Sequence, residues 1–257
     1  MSSYEYWVAF VTIVTREVRR FLRIWPQTLL PPAITMSLYF VIFGNLIGSR
    51  IGDMGGFNYM QYIVPGLIMM SVIQNSYGNV VSSFFGTKFQ HSIEEMLVSP
   101  MSSLIILLGF VAGGVARGVM VGAIVTALSL FFTDLALTNV LVTFAVVIMT
   151  AVLFSLGGMV NAIFANKFDD IAIVPTFVLT PLTYLGGVFY SIDLLPEFWR
   201  GVSLFNPIVY MVNAFRYGVL GVSDVDVGFS LLAIATFTII LFAYVLWLLN
   251  RGVGIRS

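Results

Sequence analysis

The chain has 257 residues, of which 59% are hydrophobic and only 9% charged. A soluble domain carries about 25% charged residues, so too little polar surface exists to cover a water-soluble globule. Net charge is zero, which gives no hint of a nucleic-acid surface, and cysteine is absent, which excludes disulfides and thiolate metal sites.

Residues 4–25 form an amphipathic helix that is too charged to cross a bilayer. Trp7, Val11, Val14, Val18, Phe21 and Trp25 recur at helical spacing, and Thr12, Arg16, Arg19, Arg20 and Arg23 form another stripe. Such a helix lies at the headgroups with arginines toward anionic lipid, or packs on a partner. A cleavable signal peptide does not fit, because the apolar run after the arginines is too long.

Six apolar runs follow, near 26–47, 59–82, 103–132, 138–165, 171–190 and 228–250. Each reaches the roughly 20 residues a helix needs to cross. Helix is the only solution, since a lone lipid-facing strand leaves its backbone unpaired. Pro31 and Pro32 remove donors early in the first run, which predicts a kink or a packed irregular turn.

Basic residues set the orientation. With the amino terminus in the cytoplasm, Arg16, Arg19, Arg20, Arg23, Lys88, Lys167, Arg251 and Arg256 face inward. Arg50, Arg200 and Arg216 face outward. Both termini are then cytoplasmic.

Between the second and third runs lies Gly86 to Pro100, GTKFQHSIEEMLVSP, with the only histidine and one of two lysines. Ile93, Met96 and Leu97 share one face of a short helix, Glu94 and Glu95 project beside them, and Pro100 ends it. A helix of this kind suits a groove on a soluble partner. It also fits an ordinary loop containing a turn of helix.

In the third run, Gly109, Gly113, Gly114, Gly118 and Gly122 put small residues where helices approach closely. Arg117 lies halfway along that run with no carboxylate in any span to pair it. It gates or couples, or it snorkels or donates to helix-end carbonyls. Asn75, Gln74 and Asn161 are polar span residues that hold helices together or touch cargo. Lys167, Asp169 and Asp170 form a short turn between runs four and five, solvated or paired to the amino-terminal arginines.

Segment 191–227 is external and not simply polar. Asn206 and Pro207 form an N-cap and first-turn pair. The apolar stretch after them carries Arg216 and is too short to cross, so it is re-entrant or interfacial. Neither lysine sits in a GxxxxGK[ST] phosphate loop, so the chain hydrolyses no ATP by that route.

IEEMLVSP, after Gly86-Thr87, resembles the GTxExLLVTP-like loop of ABC-2 type transporter permeases. The stretch DDIAIVPTFVLTPLTYLGGVFYSIDLLPEFWRGVSLFNPIVYMVNAFRYGVLG resembles their carboxyl-terminal signature. RFLRIWPQTLLPPAITMSLYFVIFG is similar to the amino-terminal part of an inner-membrane permease of that family. The resemblance covers nearly the whole chain.

It implies a single all-α membrane domain over 1–257. An interfacial helix precedes six transmembrane helices, with a cytoplasmic coupling helix after the second and short external re-entrant helices before the sixth. It implies a homodimer of exporter permeases, with an interface from spans one and five, in a bacterial inner membrane. A separate ABC ATPase binds ATP and Mg; the chain itself is no enzyme and holds no cofactor. Phe89, Ile93, Glu94, Glu95, Met96, Leu97, Ser99 and Pro100 would contact that ATPase. Arg117, Asn75 and Asn161 would be the intramembrane polar group, and Pro196, Trp199, Asn206, Pro207 and Arg216 the external one. Cargo would be lipid, polysaccharide, lipid-linked polymer or drug. A stand-alone channel or secondary carrier, or a membrane scaffold that transports nothing, is the alternative.

Overall fold

Proline and asparagine decide where the helices begin. In the computed structural model, which describes residues 3–98 and 101–254 apart from the side chains of Asn45, Ser49 and Leu97, α1 spans Ser3–Arg23. α2 (Trp25–Thr28) and α3 (Leu30–Tyr39) follow, with prolines in their first turns where a missing N–H costs nothing. Pro31 and Pro32 thus make an irregular turn between two helices rather than a bend in one. The Thr28 hydroxyl, buried in that turn, donates to the Phe21 carbonyl at 2.9 Å.

From Phe40 to Ile47 the helix widens to i→i+5 bonding, and α4 (Gly48–Ile51) closes it. A hairpin of β1 (Asp53–Met54) and β2 (Phe57–Asn58) follows. Gly55 and Gly56, at φ 60° and 82°, supply the left-handed pair that its tight turn requires. Asn58 then caps α5 (Tyr59–Phe89), its Oδ1 accepting from the Met60 amide at 3.0 Å.

α5 runs seven residues past the expected end at 82 and takes in Gly86 to Phe89. His91, at φ 56°, turns the corner into α6 (Ser92–Val98). α7 (Ser103–Ser129) and α8 (Val140–Phe164) are the third and fourth apolar runs, slightly shorter than expected. α9 (Asp170–Val174), a second widened turn (Pro175–Leu179) and α10 (Thr180–Tyr184) read as one apolar helix that stops well short of 190. After a 3₁₀ turn come α11 (Glu197–Leu204), α12 (Pro207–Leu220) and α13 (Val227–Arg251).

α5 is the axis of the bundle. It is buried along nearly its whole length against α7 and α8, while α12 fills the space between α5, α8 and α13. Residues 25–44, 103–129, 140–164 and 227–251 are long and apolar enough to cross a membrane. α5 is longer than any of these but is not among them. Its Gln61, Gln74, Asn75 and Asn79 lower its apolar character, and its neighbours cover it. The outermost side chains are apolar, as lipid exposure requires: Ile34, Leu38, Phe177, Ile239 and Trp247 are all exposed.

α1 does not lie with its tryptophan stripe inward. Ile13, Glu17 and Phe21 are its buried residues, while Trp7 and Val11 face outward. The seat is on α7. A Cβ on Gly109 would come within 2.5 Å of Ile13, and one on Gly113 within 2.6 Å of Glu17. Gly118 and Gly122 face Ser76 and Val72 of α5, and Gly114 faces Ser155 of α8 as well as Val80 of α5, so the glycines serve three neighbours rather than one.

Candidate functional site

Both sides of the bundle's α6 end are tied by Lys88, in the last turn of α5. Its ammonium donates to the carbonyls of Ile163 and Ala165, each at 2.7 Å. A helix's last carbonyls have no amide partner and carry the negative end of its dipole, so the end of α8 attracts a cation. Burial pushes the Lys88 pKa down, and the Asp170 carboxylate opposes that shift. Asp170 accepts from the amides of Asn166 (2.8 Å) and Lys167 (3.0 Å). Those bonds hold its carboxyl below the ordinary range. Asp170 therefore folds its own turn, not a bridge to the amino-terminal arginines.

α6 presents a different face from the one expected. Ile93 is 1% exposed and belongs to the core, and Met96 packs half-buried against it. A short amphipathic helix on an apolar bundle turns its apolar side to that bundle, so Ile93 is closed to a soluble partner. The Leu97 side chain, Ser99 and Pro100 lie outside the described residues. Glu94 and Glu95 point outward, with His91 Nδ1 3.0 Å from Glu94 Oε1. Val98 is exposed too.

Phe89 is exposed and stacks edge-on against Phe168, centroids 4.9 Å apart. Phe168 also meets Phe85, 5.0 Å away. The sequence reading missed Phe168 and passed over Lys88. A lone phenylalanine between Lys167 and Asp169 was the available signal, because a large ring amid charges needs a neighbour.

Arg117 sits where the third apolar run crosses α5 and the α2–α3 turn. Nη2 donates to Asn75 Oδ1 at 3.2 Å and to the Thr28 carbonyl at 3.4 Å. Arg117 and Asn75 are thus in direct contact. Asn161 is elsewhere, with Nδ2 donating to the Ile171 carbonyl at 3.2 Å.

A carboxylate close to these helices escaped the sequence reading. Glu17 is 1% exposed, 3.5 Å from Arg16 and 3.4 Å from Arg20. Arg20 also donates to Asn79 Oδ1 at 2.8 Å. The i,i+3 spacing of Glu17 and Arg20 was its only trace in sequence. A cleft of about 1260 Å³ opens between α1 and the end of α5. Arg16, Arg19, Arg20 and Arg23 line one side, and Ser82 and Thr87 the other.

At the opposite end Arg216, counted above among the outward-facing basic residues, is 0% exposed. Nη2 donates to the Gly187 carbonyl at 2.7 Å, Nε donates to the Tyr62 carbonyl at 3.3 Å, and the guanidinium lies 4.0 Å over the Tyr62 ring. Tyr62 donates in turn to Asp224 at 3.2 Å. Asp224 also accepts from Ser191 and the Ile192 amide, both at 2.9 Å. Asn206 and Pro207 open α12 as expected, with Asn206 Oδ1 accepting from the Ile208 amide at 3.0 Å. Pro196 precedes α11, and Trp199 is half exposed on it, apart from Arg216. Among the described residues no group of three His, Cys, Asp or Glu side chains could hold a metal ion.

The arrangement joins an exposed α6 face, a helix-end cation and two arginines held between helices, Arg117 and the fully buried Arg216. Residues 8–220 match the family model described as ABC-2 type transporter. The chain is 60% identical over 253 residues to the inner membrane transport permease YadH of Escherichia coli K12, covering 98% of each chain. It is 25% identical over 215 residues to nodulation protein J of Rhizobium leguminosarum bv. trifolii, covering 83% of this chain and 82% of that one. Nodulation protein J of Neorhizobium galegae is 22% identical over 246 residues.

Proposed function

Because this chain belongs to the ABC-2 type transporter family, we propose that it is the membrane half of an ATP-driven exporter, working as a homodimer with two copies of a separate ABC ATPase. ATP and Mg belong to that ATPase. The observation that carries this reading is the α6 face: Phe89, Glu94, Glu95 and Val98 are exposed together, backed by a lysine that reaches the end of α8. Phe168 extends the face onto the turn after α8.

On this reading α5 and residues 170–184 complete six crossings, the single domain runs over 1–257, and the α6 end with both termini lies in the cytoplasm of a bacterial cell, the membrane being the inner one. α11 and α12 form the external re-entrant pair. The exposed apolar sides of α3 and of residues 170–184 supply the dimer contact. The arginine-lined cleft beside α1 takes phosphate headgroups of inner-leaflet lipid, since its charge is positive and Val11 and Leu22 also line it. Retention of anionic lipid by Arg19→Gln/Arg23→Gln protein, read by native mass measurement, checks that placement.

The cargo we assign is amphiphilic: lipid, lipid-linked polymer, polysaccharide or drug. The deciding experiment reconstitutes the permease in vesicles with its ATPase. Stimulated hydrolysis and export of a fluorescent amphiphile are expected. Transport of such a probe without ATPase, or no effect of the permease on hydrolysis, overturns the reading in favour of a stand-alone carrier or scaffold.

A further inference from the structure

We infer that Lys88 is the positioning residue through which movement of the α6 segment reaches α8. The inference rests on the reading of α6 as the ATPase contact. α6 itself packs on α5, and its direct contacts with α8 are few. Lys88 is a polar connection between this end of α5 and α8. It stands three residues before His91, whose amide donates to the Lys88 carbonyl at 3.0 Å, and its ammonium donates to two carbonyls of the α8 end at 2.7 Å. Both bonds are at the short end for N–H···O, as charge-assisted bonds are.

The end of α8 is held from a second side. The turn after α13 packs so closely there that a Cβ on Gly254 would come within 2.6 Å of the Ile163 carbonyl. α8 in turn contacts α12 and α13 along its length. A displacement of α6 that moves Lys88 therefore pulls on a helix end clamped between two elements. The path runs from the docking face into the end of α5, whose Lys88 ammonium grips the α8 end beyond the packing of α5 along α8, and from α8 to the helix that carries Arg216. Phe85 and Phe89 give the same region apolar contact with Phe168, but that contact lies on the turn beyond α8. The charged neighbours of Lys88 are Asp170, which favours its charged form, and Lys167 beyond it.

The test compares wild-type, Lys88→Met and Lys88→Arg permeases, each reconstituted with the ATPase. Three quantities are read: ATPase retained in a pull-down, stimulation of hydrolysis, and melting temperature in detergent. Lys88→Met should keep ATPase binding within about twofold and lose at least about fivefold of the stimulation, a coupling loss at the low end of those seen between sites. Lys88→Arg, which still donates to both carbonyls, should restore most of it. Full stimulation by Lys88→Met overturns the inference. So does a loss of binding in step with stimulation, because Lys88 would then only shape the docking face. If Lys88→Met does not fold, Lys88→Gln is read in its place with the same outcomes. A wild-type permease without effect on hydrolysis overturns the proposed function instead, and the two failures are thereby distinct.

Discussion

Arg117 donates to the Thr28 carbonyl because residue 32 is a proline. In an unbroken helix that carbonyl would accept from the amide four residues on. Pro32 has no amide to give, and the guanidinium of α7 stands 3.4 Å away in its place. An arginine without a carboxylate partner is thus matched to a carbonyl without a helical one.

Arg117→Leu should lower stability. It strands the Thr28 carbonyl and Asn75 Oδ1, at about 1–3 kcal/mol each when buried. Against that, it removes a central arginine that costs roughly 2.5–3.5 kcal/mol on the insertion scale. The net is a modest loss, read as a lower melting temperature in detergent. Asn75→Leu added to it should recover part of the loss, since the acceptor leaves with the donor. A variant altered only in cargo preference, at unchanged melting temperature, would contradict this.

Substitutions on the α6 segment should separate into two kinds. Phe89→Ala should weaken ATPase binding, because burying such a side chain is worth about 1.5–3 kcal/mol. Glu94→Gln with Glu95→Gln should cost about 0–1 kcal/mol as rim charges. Ile93→Ala should instead destabilise the permease by about 2–5 kcal/mol, as a core truncation does. Pull-down and melting temperature on the same preparations tell the two apart. Loss of binding by Ile93→Ala at full stability would show that Ile93 leaves the core to meet the ATPase.

Acid should loosen the turn between α8 and α9. The folded-state pKa of Asp170 is lowered from 3.8, first by the amides of Asn166 and Lys167. Its contribution is whole above that ordinary value and disappears as pH falls through the lowered one. Hydrogen exchange of the two amides, or the melting temperature, should therefore drop only below about pH 4. Asp170→Asn should flatten that dependence. Lys88 acts in the opposite direction. Burial lowers its pKa, so its desolvation penalty is present at neutral pH and relieved only in strong alkali.

Tyr62→Phe should release Asp224 from α5, at about 0.5–1.5 kcal/mol for the lost hydrogen bond. Arg216→Met should cost more, since two carbonyls lose a charged donor. Hydrogen exchange should rise at residues 187–192 in both variants and stay unchanged around α6. An increase confined to the α6 end would refute the assignment of this network to the opposite end.

Features fixed by near neighbours were legible in the sequence. The Asn206–Pro207 start of α12 needs only an amide two residues away, and it was read correctly. The glycines of α7 announced close packing, but not that they serve α1, α5 and α8 separately. Ile93 was placed on an apolar face, yet nothing local says whether that face meets another protein or the chain's own helices. Nothing local marks Glu17 for burial, because its cover, Gly113, comes from a helix far along the chain. The polar residues of α5 did not disqualify it as an apolar run, and they are the reason it ends up as the covered axis of the bundle.

The seat of α1 has a consequence for how the chain is made. α1 leaves the ribosome before α5 and α6, but the glycines that receive Ile13 and Glu17 lie in α7, after every residue of α5 and α6 has been synthesised. Until Gly113 arrives, Glu17 lacks its cover and α1 has the membrane surface and the Arg20 bonds to Asn79 of α5 to rest on. A chain halted at Val98 would lack the seat on α7. Docking of the first helix is then one of the later steps in assembly, and it waits on a pair of missing side chains.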